Sequence, residues 1–127
     1  MTELTKANLI WNRACIGGLS FSLPGDRSLA AMLAFHSAAM NGGVFHALEG
    51  FAHEDIEAAE LGYRFFDLND VADFLNAAKL GPANDCDVDT WEVVLDKRYH
   101  LFVPDDSVLV QRFELILRRK PADFAPV

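Results

Sequence analysis

Four histidines, two cysteines and an acid-rich middle are the residues of this sequence with chemistry to offer. Asp85, Asp87 and Asp89 alternate as the first three oxygen ligands of a calcium loop do, but the match ends there. Thr90 stands where that loop needs glycine, and the shorter Asp96 stands where a bidentate glutamate closes the shell. Capping explains Asp89 more economically, because Asp89-Thr90-Trp91-Glu92 carries the acceptor and the glutamate of a capping box. His36, His46, His53 and His100 show neither HExxH nor ExxH spacing. His36 falls on the apolar face of a helix, where a core histidine with one hydrogen-bonded nitrogen is expected. His46 follows the next break in the chain and could approach the same region, so a small-molecule or metal pocket near His36, His46 and that break stays open as an alternative. No strained serine elbow, phosphate loop or Cys-xx-Cys pair is present. Cys15 lies on an apolar stripe and reads as core, while the acids around Cys86 oppose thiolate formation there. The sequence therefore assigns no catalytic residue, no cofactor and no metal, and an enzyme is the less favoured class.

The break in question organises the chain. From Leu29, the apolar residues Leu29, Met32, Leu33, His36 and Met40, with alanines between them, make a helix that is apolar nearly all round and therefore buried. Asn41, Gly42 and Gly43 then form a helix-ending turn, in which Gly42 or Gly43 is expected at positive φ. Val44, Phe45 and Leu48 bring a second apolar face back against the first.

Other elements flank this one. Leu4, Ala7, Trp11, Ala14 and Cys15 repeat at helical spacing, with Gly17-Gly18 as the stop. Pro24-Gly25 reads as a turn, and Asp26 or Ser28 as the cap of the central helix. Ile56, Ala59, Tyr63 and Phe66 form one stripe. Val71, Phe74, Leu75 and Ala78 form another, capped by Asp67 or Asn69 and ended by Gly81-Pro82. Trp91, Val94, Leu95 and Tyr99 favour a helix, although the β-branched Val93-Val94 also permits a strand. Pro104 to Ser107 opens a last helix with Leu109, Phe113, Ile116 and Leu117 inward, which Pro121 stops. The expected fold is all-α: one domain over residues 1–127, a compact array of six or seven short helices around an apolar central helix. Met32, Leu33, Phe35, Phe45, Tyr63, Phe66, Phe74, Leu75, Trp91, Phe113 and Leu117 are its expected core.

Charge narrows the function classes. The chain carries a net −8, yet Glu49 to Asp106 holds fifteen acids against four bases, net −11, and the remainder is net +3. Such a field disfavours direct contact with nucleic acid or an anionic membrane and suits a basic partner, or plain solubility. No apolar run is long enough to span a bilayer, and the first residues do not read as a signal peptide, so the cytoplasm is the expected compartment.

Taken together, the apolar helix ending in Asn41-Gly42-Gly43, the Ala58-Ala59-Glu60-Leu61-Gly62-Tyr63 segment, Asp70-Val71-Ala72-Asp73-Phe74-Leu75 and Leu95-Asp96-Lys97-Arg98-Tyr99 resemble a bacterial helical family of unknown function, domain of unknown function 4375. Some of its members are described as acidic DNA mimics. The resemblance covers roughly residues 28 to 127, and Val44 stands where that family usually has an aromatic residue directly after the glycines. It implies a module that binds a basic or DNA-binding protein, and a homodimer. Carboxylates three or four positions apart on a helix lie about 4.5–6 Å apart along its axis, comparable to phosphate spacing. Glu54, Glu57 and Glu60 with Asp67, Asp70 and Asp73 are the candidate partner-facing surface, though any solvated helix shows the same spacing.

Overall fold

A computed structural model describes residues 5–16, 21–81 and 87–127 of the chain. Among them the protein is all-α, with seven helices and no strand. In chain order these are α1 (Lys6–Cys15), α2 (Pro24–Gly42), α3 (Val44–Gly50), α4 (His53–Phe65), α5 (Asn69–Ala78), α6 (Val88–Phe102) and α7 (Asp106–Arg119), followed by a 3-10 turn at Pro121–Asp123.

The alanine-rich α2 is the hub the sequence implies. Leu29, Met32 and Phe35 on it are fully buried, and α1, α3 and α4 all pack against it. Its closest neighbour is α4, and Gly62 explains how: a Cβ at that position would meet the Ser28 carbonyl oxygen at 2.5 Å. The missing side chain lets the two backbones touch. α4 and α5 form a hairpin, and α6 closes over α3 and α5. One apolar cluster draws on all seven helices. At one end Phe66, Phe113 and Phe124 pack ring to ring at centroid distances of 5.7–6.4 Å, which seats α7 and the tail that follows it.

Several helix starts differ from expectation, each for a physical reason. α2 begins at Pro24, and neither Asp26 nor Ser28 caps it. Proline fits the first turn because its missing N–H would have no intrahelical partner there. Asp26 is buried instead. It takes the Arg13 guanidinium at 2.8 Å and the Ala125 amide at 2.8 Å, tying α1, α2 and the tail together. α5 starts after Leu68 with no side-chain cap, and Asp67 occupies the left-handed region (φ 60), turning the chain out of α4. α6 is capped by Asp87, which accepts from the Thr90 amide at 2.7 Å, two residues ahead of the expected Asp89. That bond also holds the Asp87 carboxyl below its ordinary range.

Eight of the expected core residues are buried, whereas Phe45, Trp91 and Leu117 are half-buried on the rim. Cys15 and Met40 are exposed rather than core, although their neighbours Ala14 and Ala39 are buried, so the covered face of each helix is narrower than its apolar stripe. The expectations for Leu4, Gly17-Gly18, Pro82, Asp85 and Cys86 lie outside the described residues.

Candidate functional site

The turn at the end of α2 takes the expected form at one glycine. Gly42 completes the helix, and Gly43, at φ 92, makes the break. The start of α3 then lacks a local cap. Its Val44 amide donates to Asp96 Oδ1 at 2.9 Å, a carboxylate delivered by α6 from 52 positions away. The Asn41-Gly42-Gly43 turn is thus a joint closed by tertiary contact.

His36 is buried, as its place on α2 suggests, and both of its nitrogens are engaged. Nε2 lies 2.7 Å from Asp106 Oδ1, and Nδ1 lies 2.6 Å from the Tyr99 hydroxyl, which in turn lies 2.6 Å from the Tyr63 hydroxyl. A carboxylate only accepts, so in the neutral ring Nε2–H donates to Asp106 and Nδ1 accepts. The remaining proton positions follow. Tyr99 O–H donates to Nδ1, and Tyr63 O–H donates to Tyr99. The chain runs from a fully buried phenol on α4 through α6 and α2 to an exposed carboxylate at the start of α7. Burial raises both phenols above their ordinary range, so neither supplies a phenolate base near neutral pH. The arrangement is a strut joining four helices. Only the apolar position of His36 hinted at it, because Tyr99 and Asp106 are 63 and 70 residues away.

His46 does not join His36. It is exposed on α3, with its ring against Gly42, where an added Cβ would meet it at 2.8 Å. Beside Gly43 there is a largely apolar cavity of about 650 Å³ between the end of α2 and α6. Its lining includes Met40, Lys97, His100 and Leu101, with neither His36 nor His46. Among the described residues no three His, Cys, Asp or Glu side chains are grouped to hold a metal ion. The Cys15 thiol is raised by its partial burial and by the nearby Asp106 charge, which makes it a weak nucleophile.

The six candidate acids sit on the α4–α5 hairpin in unequal circumstances. Glu60 is mostly covered. It pairs with Arg64 at 3.4 Å and with Lys79 at 3.5 Å, and Arg64 reaches across to Asp73 at 2.7 Å. The Asp73 hydrogen bond is the main reason the Arg64 guanidinium is raised above its ordinary range. Two acids and two bases therefore brace the middle of the hairpin. Glu54 and Glu57 are exposed at the start of α4, with Glu57 3.0 Å from His53, and Asp67 and Asp70 are exposed at the turn end. Comparison with protein-family models, curated proteins and solved structures returned no match. No helix among the described residues is long and apolar enough to cross a membrane.

Proposed function

We propose that this protein is a cytoplasmic, acidic interaction module whose α4–α5 hairpin engages a basic protein, in the DNA-mimic form a DNA-binding protein with a phosphate-binding cleft. The observation that carries the reading is the charge division, net −11 from Glu49 to Asp106 against +3 elsewhere; seven of those acids stand against Arg64 alone on the α4–α5 hairpin, which Arg64 and Lys79 brace from within. The brace fixes the hairpin that carries this charge, and exposed charge of this kind acts chiefly on encounter rate and selectivity. The partner-facing charge is then Glu54, Glu57, Asp67 and Asp70, since Glu60 and Asp73 are already matched. Direct nucleic-acid or anionic-membrane binding is disfavoured by the same field.

Affinity capture from a cytoplasmic extract at stepped salt tests this, run beside a variant with Glu54, Glu57 and Asp70 changed to Lys. The expected result is a basic protein whose binding weakens steeply as the Debye length shrinks from about 10 Å at 0.1 M salt to about 3 Å at 1 M. The variant should lose it while keeping its helicity and melting temperature, because exposed carboxylates contribute little to folding. A partner indifferent to both salt and charge reversal overturns the reading. The alternative, a small-molecule site, is favoured by the cavity beside Gly43 alone; it predicts binding that Met40→Asp removes and charge reversal does not.

A further inference from the structure

Beside the braced hairpin, two adjoining hollows of about 620 and 330 Å³ share Asp70 and Phe102 and make one groove. Phe74, Ala77, Leu101 and Phe102 supply an apolar lining, and Leu101, on α6, is left 82% exposed next to the partly exposed Phe102. The α5 side carries Asp67 and Asp70. The far side carries Arg98 from α6 and Arg112 from α7. None of these four charges makes an ion pair among the described residues, in contrast to Asp73, which Arg64 holds.

We infer that this groove receives an amphipathic helix of the basic partner, its apolar stripe on Leu101 and Phe102, its Lys/Arg flank along Asp67 and Asp70, and its acidic flank toward Arg98 and Arg112. The inference rests on the acidic-module reading and states how the partner is held. A helix is the form of peptide that suits an apolar lining, because it satisfies its own backbone N–H and C=O groups. A peptide that binds by adding a strand needs a strand edge, and the described residues contain no strand. The opposed charges set the occupant's orientation, since a helix inserted the other way round places like charges together on both sides.

The test uses the full chain and three labelled synthetic helices. The first has an apolar stripe with one basic and one acidic flank, the second has the same stripe with both flanks acidic, and the third has the composition of the first scrambled to remove the stripe. Fluorescence anisotropy should show the first binding, with amide shifts concentrated in α5, α6 and the start of α7. The second and third should bind about tenfold more weakly or worse. Leu101→Gln, at an exposed position, and Asp70→Asn should each weaken the first about tenfold, with unchanged melting temperature. Equal binding of the first and third helices, indifferent to Leu101→Gln, overturns the groove while leaving the acidic surface standing. No binding of either the first or the third at low salt overturns both. Self-association in sedimentation that Leu101→Gln abolishes assigns the groove to a second copy and overturns the partner helix.

Discussion

Removing the Tyr99 hydroxyl should damage the protein far more than removing the Tyr63 hydroxyl, although the two groups are in contact. The difference lies in the direction of the proton chain. With the His36 ring neutral, Tyr99 accepts from Tyr63 and donates to His36, at 2.6 Å in each case. Tyr99→Phe therefore strands a buried donor, the Tyr63 O–H, and a buried acceptor, His36 Nδ1. Each stranded group costs about 1–3 kcal/mol, so the expected loss is roughly 2–6 kcal/mol, a large share of the ~5–15 kcal/mol that holds a typical domain. Tyr63→Phe strands no donor. It takes one donor away from a hydroxyl that still makes its bond to His36, and should cost about 0.5–1.5 kcal/mol. The double variant removes the donor that Tyr99→Phe orphans, so it should be no less stable than Tyr99→Phe alone, a coupling of roughly 1 kcal/mol or more. Urea unfolding followed by Trp11 and Trp91 fluorescence measures all three. Equal losses from the two single variants, or strict additivity in the double, would refute the assigned direction and with it the acceptor role of His36 Nδ1. Should Tyr99→Phe fail to fold, Tyr63→Phe and the double variant still decide the point.

Alkali should act on the same strut. The chain has only two tyrosines, Tyr63 and Tyr99, and burial raises both. In the unfolded chain they ionise near the ordinary value of about 10, while the native phenols keep their protons. Stability is therefore intact below about pH 10 and falls as pH rises above it. A spectrophotometric titration should show tyrosinate absorption only as the native signal is lost, and two phenols titrating near pH 10 in folded protein would contradict the buried strut. Gly43→Ala forces a side chain to φ 92 and brings its Cβ within 3.3 Å of Asp96 Oδ2, with an expected cost of about 1–3 kcal/mol in thermal unfolding. Gly50→Ala, where a Cβ meets nothing within 4 Å, is the control and should be neutral or slightly stabilising.

What the sequence made legible is what depends on neighbours along the chain. The apolar circumference of α2, the stripes of α4, α5 and α7, and the glycine break all follow from spacing of three to four residues and from the conformations that side chains permit. The helix starts were less legible, because Asp26, Ser28, Asp67, Asn69 and Asp89 could each serve as a cap and the fold chose by tertiary demand. Asp26 looked like a cap of α2 and became the buried partner of Arg13. Asp96 looked like a failed calcium ligand and became the cap of α3. His36 announced its burial through its place on an apolar face, but neither partner could be named from spacing. Cys15 and Met40 erred in the opposite sense, since a periodic stripe does not reveal how wide a face its neighbours cover.

The same distinction governs how the acidic middle should be counted. A net −11 is a sum over sequence, and partners meet only the charge that the fold leaves over. Asp87 and Asp105 are committed to helix starts, Asp96 to α3, Asp106 to His36, and Glu60 and Asp73 to Arg64 and Lys79. These six acids hold the shape of the surface, whereas Glu54, Glu57, Asp67 and Asp70 give it its reach. Reversing Glu60 or Asp73 would therefore confuse the two roles, by setting like charges against Arg64 and loosening the hairpin. Reversing Glu54, Glu57 and Asp70 alters chiefly the outward field, since it breaks only the exposed Glu57–His53 pair and leaves the brace intact. A continuous row of phosphate-like charge would have run through the middle of the hairpin, where Arg64 now stands. What remains is two acidic ends separated by a neutralised bridge, and the turn end opens onto the apolar groove. In the proposed reading, recognition there combines charge with shape, and the groove rather than the charge count selects among basic proteins.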